Sequence, residues 1–488
     1  MIGSDFICEK TVSVRLDENI DTVRQICGES IDIILRPVVL ANGQRAAAIL
    51  IDGLVDSSYL ARDFFTPLTL ADKNSDYTAR ELTESVLSMT EISLENSMQN
   101  VIESVLQGMT ALFLDGSDTA ICVQAIDWPQ RSVEEPGTDV VIRGPREGFI
   151  EAMRPNVALL RRKIHHPDLR VETQRIGRYS RTDTALVYVE SIVNKDVLAQ
   201  LKERLSRIDI DAVLDSGTIE QLIQDKQSTL FSTVGIAEKP DIAASRILEG
   251  RICLIVDGSP IALTVPMLFV EGLHSPEDYY NSFIIATSIR IVRSLAFVFS
   301  IWLPGFFVAA VTFHKEIVPL KLLLSMSAAE YNTPFSTGLS LLIIGAVYEI
   351  LREAGVRLPR PAGQAVSIVG AIIMGDAAVS ADLISTPVLI VLAFTVVSSF
   401  VSSVFADVST LLRMAFLLLG WSLGLFGLLI GSMALFVYLC SLESFGVPYF
   451  APFAPLDVSA LKDSVLRFPL RSTKERPSIL SNNRRRMA

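Results

Sequence analysis

Apolar residues along this chain follow two regimes. Before about residue 281 they come in short runs separated by polar turns, whereas beyond it they form long uncharged windows. Leu295–Phe313 runs 19 residues without a charge, Pro387–Ala406 runs 20 and Met414–Cys440 runs 27. Each is long enough to cross a bilayer, which takes roughly 20 apolar residues. A fourth window, Leu339–Leu351, has 13 residues and carries Glu349. Topology promotes it to a span extended toward Tyr331, because the loop with Arg352, Arg357 and Arg360 has to lie on the positive, inner side. Spans are therefore expected at about 295–313, 331–351, 387–406 and 414–440, running out, in, out and in, with both termini inside. The apolar stretch from Ala365, followed by Gly375, Asp376 and Asp382, reads as a re-entrant or interfacial piece over 365–380, with a pair of extra spans as the competing count. The membrane domain is thus expected over 282–445, with a basic tail over 446–488.

The front of the chain repeats itself. Val105–Val123, VLQGMTALFLDGSDTAICV, and Ile247–Val265, ILEGRICLIVDGSPIALTV, share 8 of 19 positions. Upstream, AAILIDGLVD from Ala47 matches ALVYVESIVN from Ala185 at a similar offset. Each long repeat has an apolar strand, an Asp-Gly turn at Asp115-Gly116 or Asp257-Gly258, and a second apolar strand, which predicts a hairpin. Helical windows such as Asn194–Arg207 alternate with these strands. The fold class expected is an α/β soluble region of two duplicated lobes, 1–137 and 138–275, followed by an all-α polytopic membrane domain. Two like lobes can close on a ligand or form a rigid scaffold, and both readings stand at this level.

Composition adds polarity to this layout. Residues 1–281 hold 27 Lys/Arg against 43 Asp/Glu, a net −16, while residues 282–488 hold 16 against 11, a net +5. An acidic soluble front joined to a mildly basic, apolar back argues against a single soluble enzyme and disfavours nucleic-acid binding. The five cysteines lack paired spacing, and the N-terminus lacks a cationic segment leading into an apolar run, so a cytoplasmic front is expected. The four histidines show no metal spacing, and there is no phosphate-binding loop or nucleophile elbow, so no catalysis, metal or cofactor is expected.

Three constellations remain as candidate chemistry. Ionisable groups at membrane depth are costly and need a partner or water, which singles out Glu349 and Asp376 as candidates for an aqueous path. Asp382 is a further ionisable group in this region, and Asp407 and Glu443, just past span ends, read as solvated headgroup residues. Gly420, Gly424, Gly427 and Gly431 form two Gly-xxx-Gly pairs that allow close helix packing, within the chain or between copies. Ser398, Ser399, Ser402 and Ser403 form a hydroxyl patch suited to a pore or to bonds between helices. Finally, Arg143, Gly144, Pro145, Arg146 and Glu147 lie between the lobes, where the arginines can grip a carboxylate or cap a helix that begins near Glu147.

RGPREGF from Arg143 with Asn156, Leu159 and Arg161, VDGSPIALTVP from Val256, PEDYY from Pro276, LREAGVRLP from Leu351 and GQAVSIVGAIIMGDAAVSA from Gly363 together resemble the A subunit of GerA-type spore germinant receptors. The resemblance implies a subunit of a nutrient receptor in the inner spore membrane, working with a transporter-like, nutrient-binding B subunit and a lipoprotein C subunit. It implies a homo-oligomer, with a pentamer among the candidates, that forms a ligand-gated cation channel and begins germination. The alternatives are a non-conducting scaffold that transduces the signal, and a secondary transporter, which calls for inverted repeats in the membrane half. Carried over, the functional positions are Arg143 to Glu147, Glu349 and Asp376. Ser336 stands where the family has proline, and Ser340 and Gly345 stand where acids are expected, which weakens a cation path.

Overall fold

The computed structural model describes residues 10–71, 77–89, 91–127, 143–226, 228–358, 370, 373–458, 460–469, 475–477 and 479–481. The boundary expected at 137/138, Arg360, Arg471, Arg484 to Arg486 and most of the stretch after Ala365 lie outside the described residues.

Two five-stranded antiparallel sheets organise the front. The first contains β1 (Ile33–Val39), β2 (Arg45–Ile51), β3 (Ile92–Glu95), β4 (Met109–Leu114) and β5 (Ala120–Gln124), in the order β1-β2-β4-β5-β3. The second contains β6 (Leu169–Ile176), β7 (Thr182–Val189), β8 (Gly235–Ala237), β9 (Ile252–Val256) and β10 (Ala262–Val265), in the corresponding order β6-β7-β9-β10-β8. Successive strand residues point to opposite faces, so a strand covered on both sides reads as a continuous apolar run. In β2, Ala46, Ala48 and Leu50 enter one core while Ala47, Ile49 and Ile51 enter the other. In β7, Leu186 and Tyr188 face one core, and Ala185, Val187 and Val189 face the second.

The Asp-Gly turns join β4 to β5 and β9 to β10 as the hairpin pattern predicts. Gly116 and Gly258 have φ of 90° and 88°, a left-handed backbone that glycine adopts without steric cost. Their aspartates do further work. Asp115 accepts from the amide of Leu16, and Asp257 accepts from that of Met153, at 3.1 and 2.9 Å, so each turn caps the first helix of its own lobe, Leu16–Cys27 or Met153–Lys163. One buried asparagine per lobe then closes the segment ahead of the helix. Asn19 bonds both the amide and the carbonyl of Ser13, and Asn156 does the same to Ile150, each six residues back.

Behind the lobes lie the long helices. Among the described residues, Phe283–Thr312, the lead helix, and Ala406–Cys440 are the two helices long and apolar enough to cross a membrane, and Thr386–Val401 is a shorter apolar helix. Thr337–Arg357, the return helix, runs antiparallel to the first part of Ala406–Cys440. Gly338 lies against Trp421, Glu349 pairs with Arg413, and Arg352 reaches Asp407 at 3.6 Å.

Ala406–Cys440 is not one straight rod. Gly424 has φ 62° and ψ −147°, values outside the helical region, and the chain folds back there. Gly427 meets the carbonyl of Leu419, while Gly431 lies against the side chains of Leu419 and Phe416. Residues 406–423 and 425–440 are therefore two legs of a helical hairpin. Its apex sits on Phe313, at the far end of the lead helix. Both feet return to lobe 2, where Phe231 packs on Phe405 of one foot and Tyr438 of the other. The window Met414–Cys440 thus contains a turn that the uninterrupted apolar run conceals.

Thr386–Val401 also runs opposite to the sequence expectation, because it is antiparallel to the lead helix. Its first turn carries Val388, which shares an apolar cluster with Val308. Phe394 then faces Phe299 at 5.7 Å, and the chain continues to Phe405 beside Phe297.

Candidate functional site

The soluble and helical parts meet at a buried cluster of charge centred on Asp278. The short helix Glu277–Tyr280 presents its carboxylate to the first three turns of the lead helix. Arg290 donates from Nε to Asp278 at 2.9 Å and from Nη1 to Asp463 at 2.8 Å, and Arg293 donates to Asp278 at 3.1 Å and to the carbonyl of Leu273 at 2.6 Å. Arg290 and Asp278 are each 1% exposed. Arg467 donates to the carbonyls of Asp278 and Asn281, and its own backbone exchanges hydrogen bonds with Thr287. Three parts distant in sequence are pinned to one another here: the end of lobe 2, the base of the lead helix and the tail. Burial pushes the Asp278 carboxyl up, but the Arg293 and Arg290 guanidiniums outweigh it and hold the group below the usual carboxylate range. His274, at the rim, donates from Nε2 to the carbonyl of Ser464 at 2.8 Å; burial, then the Arg290 charge, lowers its pKa to about 3 and keeps it neutral.

The tail reinforces this attachment. Ser444 accepts from the amide of Met267 and donates to the carbonyl of Thr233, and Phe445 packs in the lobe 2 core beneath Arg204. Leu480 is buried in the same core, and Ser481 donates to the carbonyl of Ile192. Lobe 2 is therefore held to the helical region at both ends of that region.

Lobe 1 is held by a different pair. Arg161, wholly buried, donates from Nε and Nη2 to the two carboxylate oxygens of Asp32 at 2.9 and 3.0 Å, and also to the carbonyls of His166 and Leu169. Ser30 donates to Asp32 and accepts from the amide of Val171, which ties the start of β1 to β6.

The residues expected from sequence fall in three places. Arg143 and Arg146 are exposed, and Glu147 pairs with Lys163 at 3.0 Å and Arg162 at 3.6 Å, on the helix it precedes. Gly144 lies on the ring of Tyr280, where a Cβ would come within 2.7 Å, and Tyr280 donates to Asp241. The motif between the lobes thus touches the segment leading into the lead helix. Glu349 is paired with Arg352 at 3.1 Å and with Arg413, and Thr410 also donates to it. Asp376 is exposed, on a short helical turn, Ile373–Ala377. Of the glycines, Gly420 meets the carbonyl of Gly305 in the lead helix, and the other three form the fold-back. Ser398, Ser399 and Ser402 are buried, and Ser399 donates to the carbonyl of Val396 in its own helix.

Sequence reasoning gave Asp463, Asp32 and Arg290 no role, and it took Asp278 and Arg161 only as part of the motifs that carry the resemblance. An arginine inside an otherwise apolar helix is the signal that was available, since such a charge has to be paired.

Over residues 21–479 the chain matches the family described as Bacillus/Clostridium GerA spore germination protein. It belongs to the GerA family. Among its relatives, spore germination protein KA of Bacillus subtilis (strain 168) is 40% identical over 475 residues, covering 96% of this chain and 87% of that protein. The uncharacterized membrane protein YfkQ of the same organism is 34% identical over 477 residues, covering 97% and 93%. The solved N-terminal domain of the A subunit of the Bacillus megaterium spore germinant receptor GerK3 aligns at 32% identity with a TM-score of 0.44, covering 54% of this chain and 98% of that one. As a GerA-family A subunit, this chain is a spore germination protein of the germinant receptor family, and the resemblance first seen in RGPREGF and PEDYY extends over nearly its whole length.

Proposed function

We propose that this GerA-family subunit crosses the inner spore membrane several times and oligomerises as a ligand-gated cation channel whose opening begins germination. One observation carries the reading. The Asp278 joint ties lobe 2 to the base of the lead helix, so a displacement of the lobes has a stiff, charge-paired path to the membrane helices. A transporter-like B subunit and a lipoprotein C subunit are its expected partners, with the B subunit binding the nutrient. The directions of the described helices favour passes by the lead helix, the return helix, Thr386–Val401 and the two legs, with the lead helix leaving the lobe side and the second leg returning to it. Both ends of the chain then lie on the side of the lobes.

The test is to reconstitute the purified protein, with and without its B partner, in planar bilayers and record nutrient-dependent current. Current that appears with nutrient, and shifts in selectivity for Glu349→Gln, is the expected result; silence under every combination removes the channel. A second reading, a non-conducting transducer, draws on Glu349 itself. Two arginines meet that single carboxylate, so the cluster carries no net negative charge to attract a cation. In that case Glu349→Gln lowers the stability of the helix bundle and leaves ion release unchanged.

A further inference from the structure

The duplication pairs positions of one lobe with positions of the other. The upstream repeat pairs Asp56 with Asn194, and continuing Val105–Val123 against Ile247–Val265 pairs Ala125 with Met267 and Asp127 with Phe269. Strand register adds one more pair. Cys122 of β5 lies opposite Ser93 of β3 as its counterpart Thr264 of β10 lies opposite Gly235 of β8, so two residues earlier Glu91 corresponds to Thr233.

In lobe 2 these positions hold extended pieces of the chain's own tail. Ser444 accepts from the amide of Met267 at 3.0 Å and donates to the carbonyl of Thr233 at 2.6 Å. The amide of Phe269 donates to the carbonyl of Tyr449 at 2.8 Å, and the Asn194 side chain donates to that of Ile479 at 3.5 Å. Phe445, Val447 and Leu480 bury their side chains in the lobe 2 core below.

No described segment of the tail reaches the corresponding groove of lobe 1. There Asp56, Glu91, Ala125 and Asp127 border an open pocket of about 420 Å³ together with Tyr59 and Gln124. Asn194, Thr233 and Phe269, neutral in lobe 2, are replaced by three carboxylates. Among the described residues no Lys or Arg forms an ion pair with any of the three. The Asp127 amide donates to the carbonyl of Leu54, so this groove offers a partner its side chains more than its backbone.

We propose that the groove of lobe 1 is a docking site for an extended, basic segment of another polypeptide, which takes the place that the tail takes in lobe 2. The duplicated groove sets the shape, since a strand-like segment is what its counterpart holds. The carboxylates set the charge, since Lys or Arg side chains supply the charge-assisted hydrogen bonds that Asp56, Glu91 and Asp127 lack. The site stands whether or not the membrane region conducts ions.

Binding is read with the full-length protein in detergent, by fluorescence anisotropy of a labelled octapeptide that alternates Thr and Lys, beside the same peptide with Glu in place of Lys. The Thr-Lys peptide should bind and the Thr-Glu peptide should not. Asp56→Asn, Glu91→Gln and Asp127→Asn together should weaken binding about tenfold or more. Asp21→Asn, Glu103→Gln and Asp118→Asn together remove the same charge from exposed positions elsewhere on lobe 1 and should leave binding unchanged. Absent binding, or an equal loss in both triple variants, overturns the proposal. In membranes that hold the other receptor subunits, a photo-crosslinking side chain at Gln124 should attach to another polypeptide within a segment rich in Lys or Arg, and the pocket triple should abolish the adduct. An adduct confined to lipid, to a second copy or to the same chain also overturns the proposal.

Discussion

Arg161 of lobe 2 and Asp32 of lobe 1 form a buried, two-pronged ion pair, 0% and 5% exposed, across 129 residues of chain. It joins lobe 1 to a lobe 2 that is itself anchored to the helices. Removing one partner leaves an uncompensated buried charge, at a cost on the order of 3–5 kcal/mol. Arg161→Ala is therefore expected to lower the melting temperature of the full-length protein and open the connection between the lobes to protease. The double variant Arg161→Met, Asp32→Leu should recover much of the loss, because both charges are gone together.

Asn19 and Asn156 make the same pair of backbone bonds in the two lobes. Each alanine substitution leaves a half-buried amide and carbonyl of Ser13 or Ile150 without this partner, at the lower end of ~1–3 kcal/mol. With no shared partner, their effects in denaturant titrations should add to within about 0.5 kcal/mol. A large coupling between them would show that the lobes do not unfold as separate packing units.

Gly305 and Gly420 bring the lead helix and the first leg into backbone contact; a Cβ at Gly305 would lie 2.5 Å from the carbonyl of Phe416. Gly305→Val should cost about 1–3 kcal/mol through overpacking, seen as a lower melting temperature in detergent. Gly345→Ala, where a Cβ would meet nothing within 4 Å, is the matched control and should be close to silent.

The fold-back at Gly424 predicts a labelling pattern. A cysteine at Leu423 should react with an impermeant thiol reagent from the side opposite the lobes, and Cys440 from the lobe side. In a straight crossing of residues 414–440, Leu423 would be buried in hydrocarbon and unreactive from either side. Gly424→Ala should disrupt assembly, since φ of 62° is strained for alanine and Phe313 leaves its Cβ little room.

Acid should loosen the joint in two stages. His274 is held neutral with its pKa down to about 3, against roughly 6.5 in the unfolded chain, so the unfolded state binds more protons between these values. Stability is complete above about pH 6.5 and falls as pH drops toward 3. Asp278, lowered by Arg293 and Arg290 against the effect of burial, loses its contribution only below its unfolded value of ~3.9. Melting curves from pH 7 to 4 should therefore slope downward in the wild type and flatten in His274→Gln, which keeps a donor for the Ser464 carbonyl.

Much of the layout was legible in the chain itself. The strands, the Asp-Gly turns at Gly116 and Gly258, the matched order of elements in the front and the apolar windows behind it follow from short-range rules: side-chain alternation, glycine's access to positive φ, and the length of an apolar run. The Asp-Gly motif was legible as a turn, but its capping of Leu16 and Met153 was not, since those helices start at distant points in the chain. What only tertiary structure decided is which charges meet. Arg161, Arg290 and Arg293 carry the same formal charge as any surface arginine, and nothing local names Asp32, Asp278 or Asp463 as their partners. The turn at Gly424 was hidden for a related reason: an apolar run reports affinity for a dry environment, and it is the packing of Gly420 on Gly305, and of Gly427 and Gly431 on the leg before them, that sets its direction.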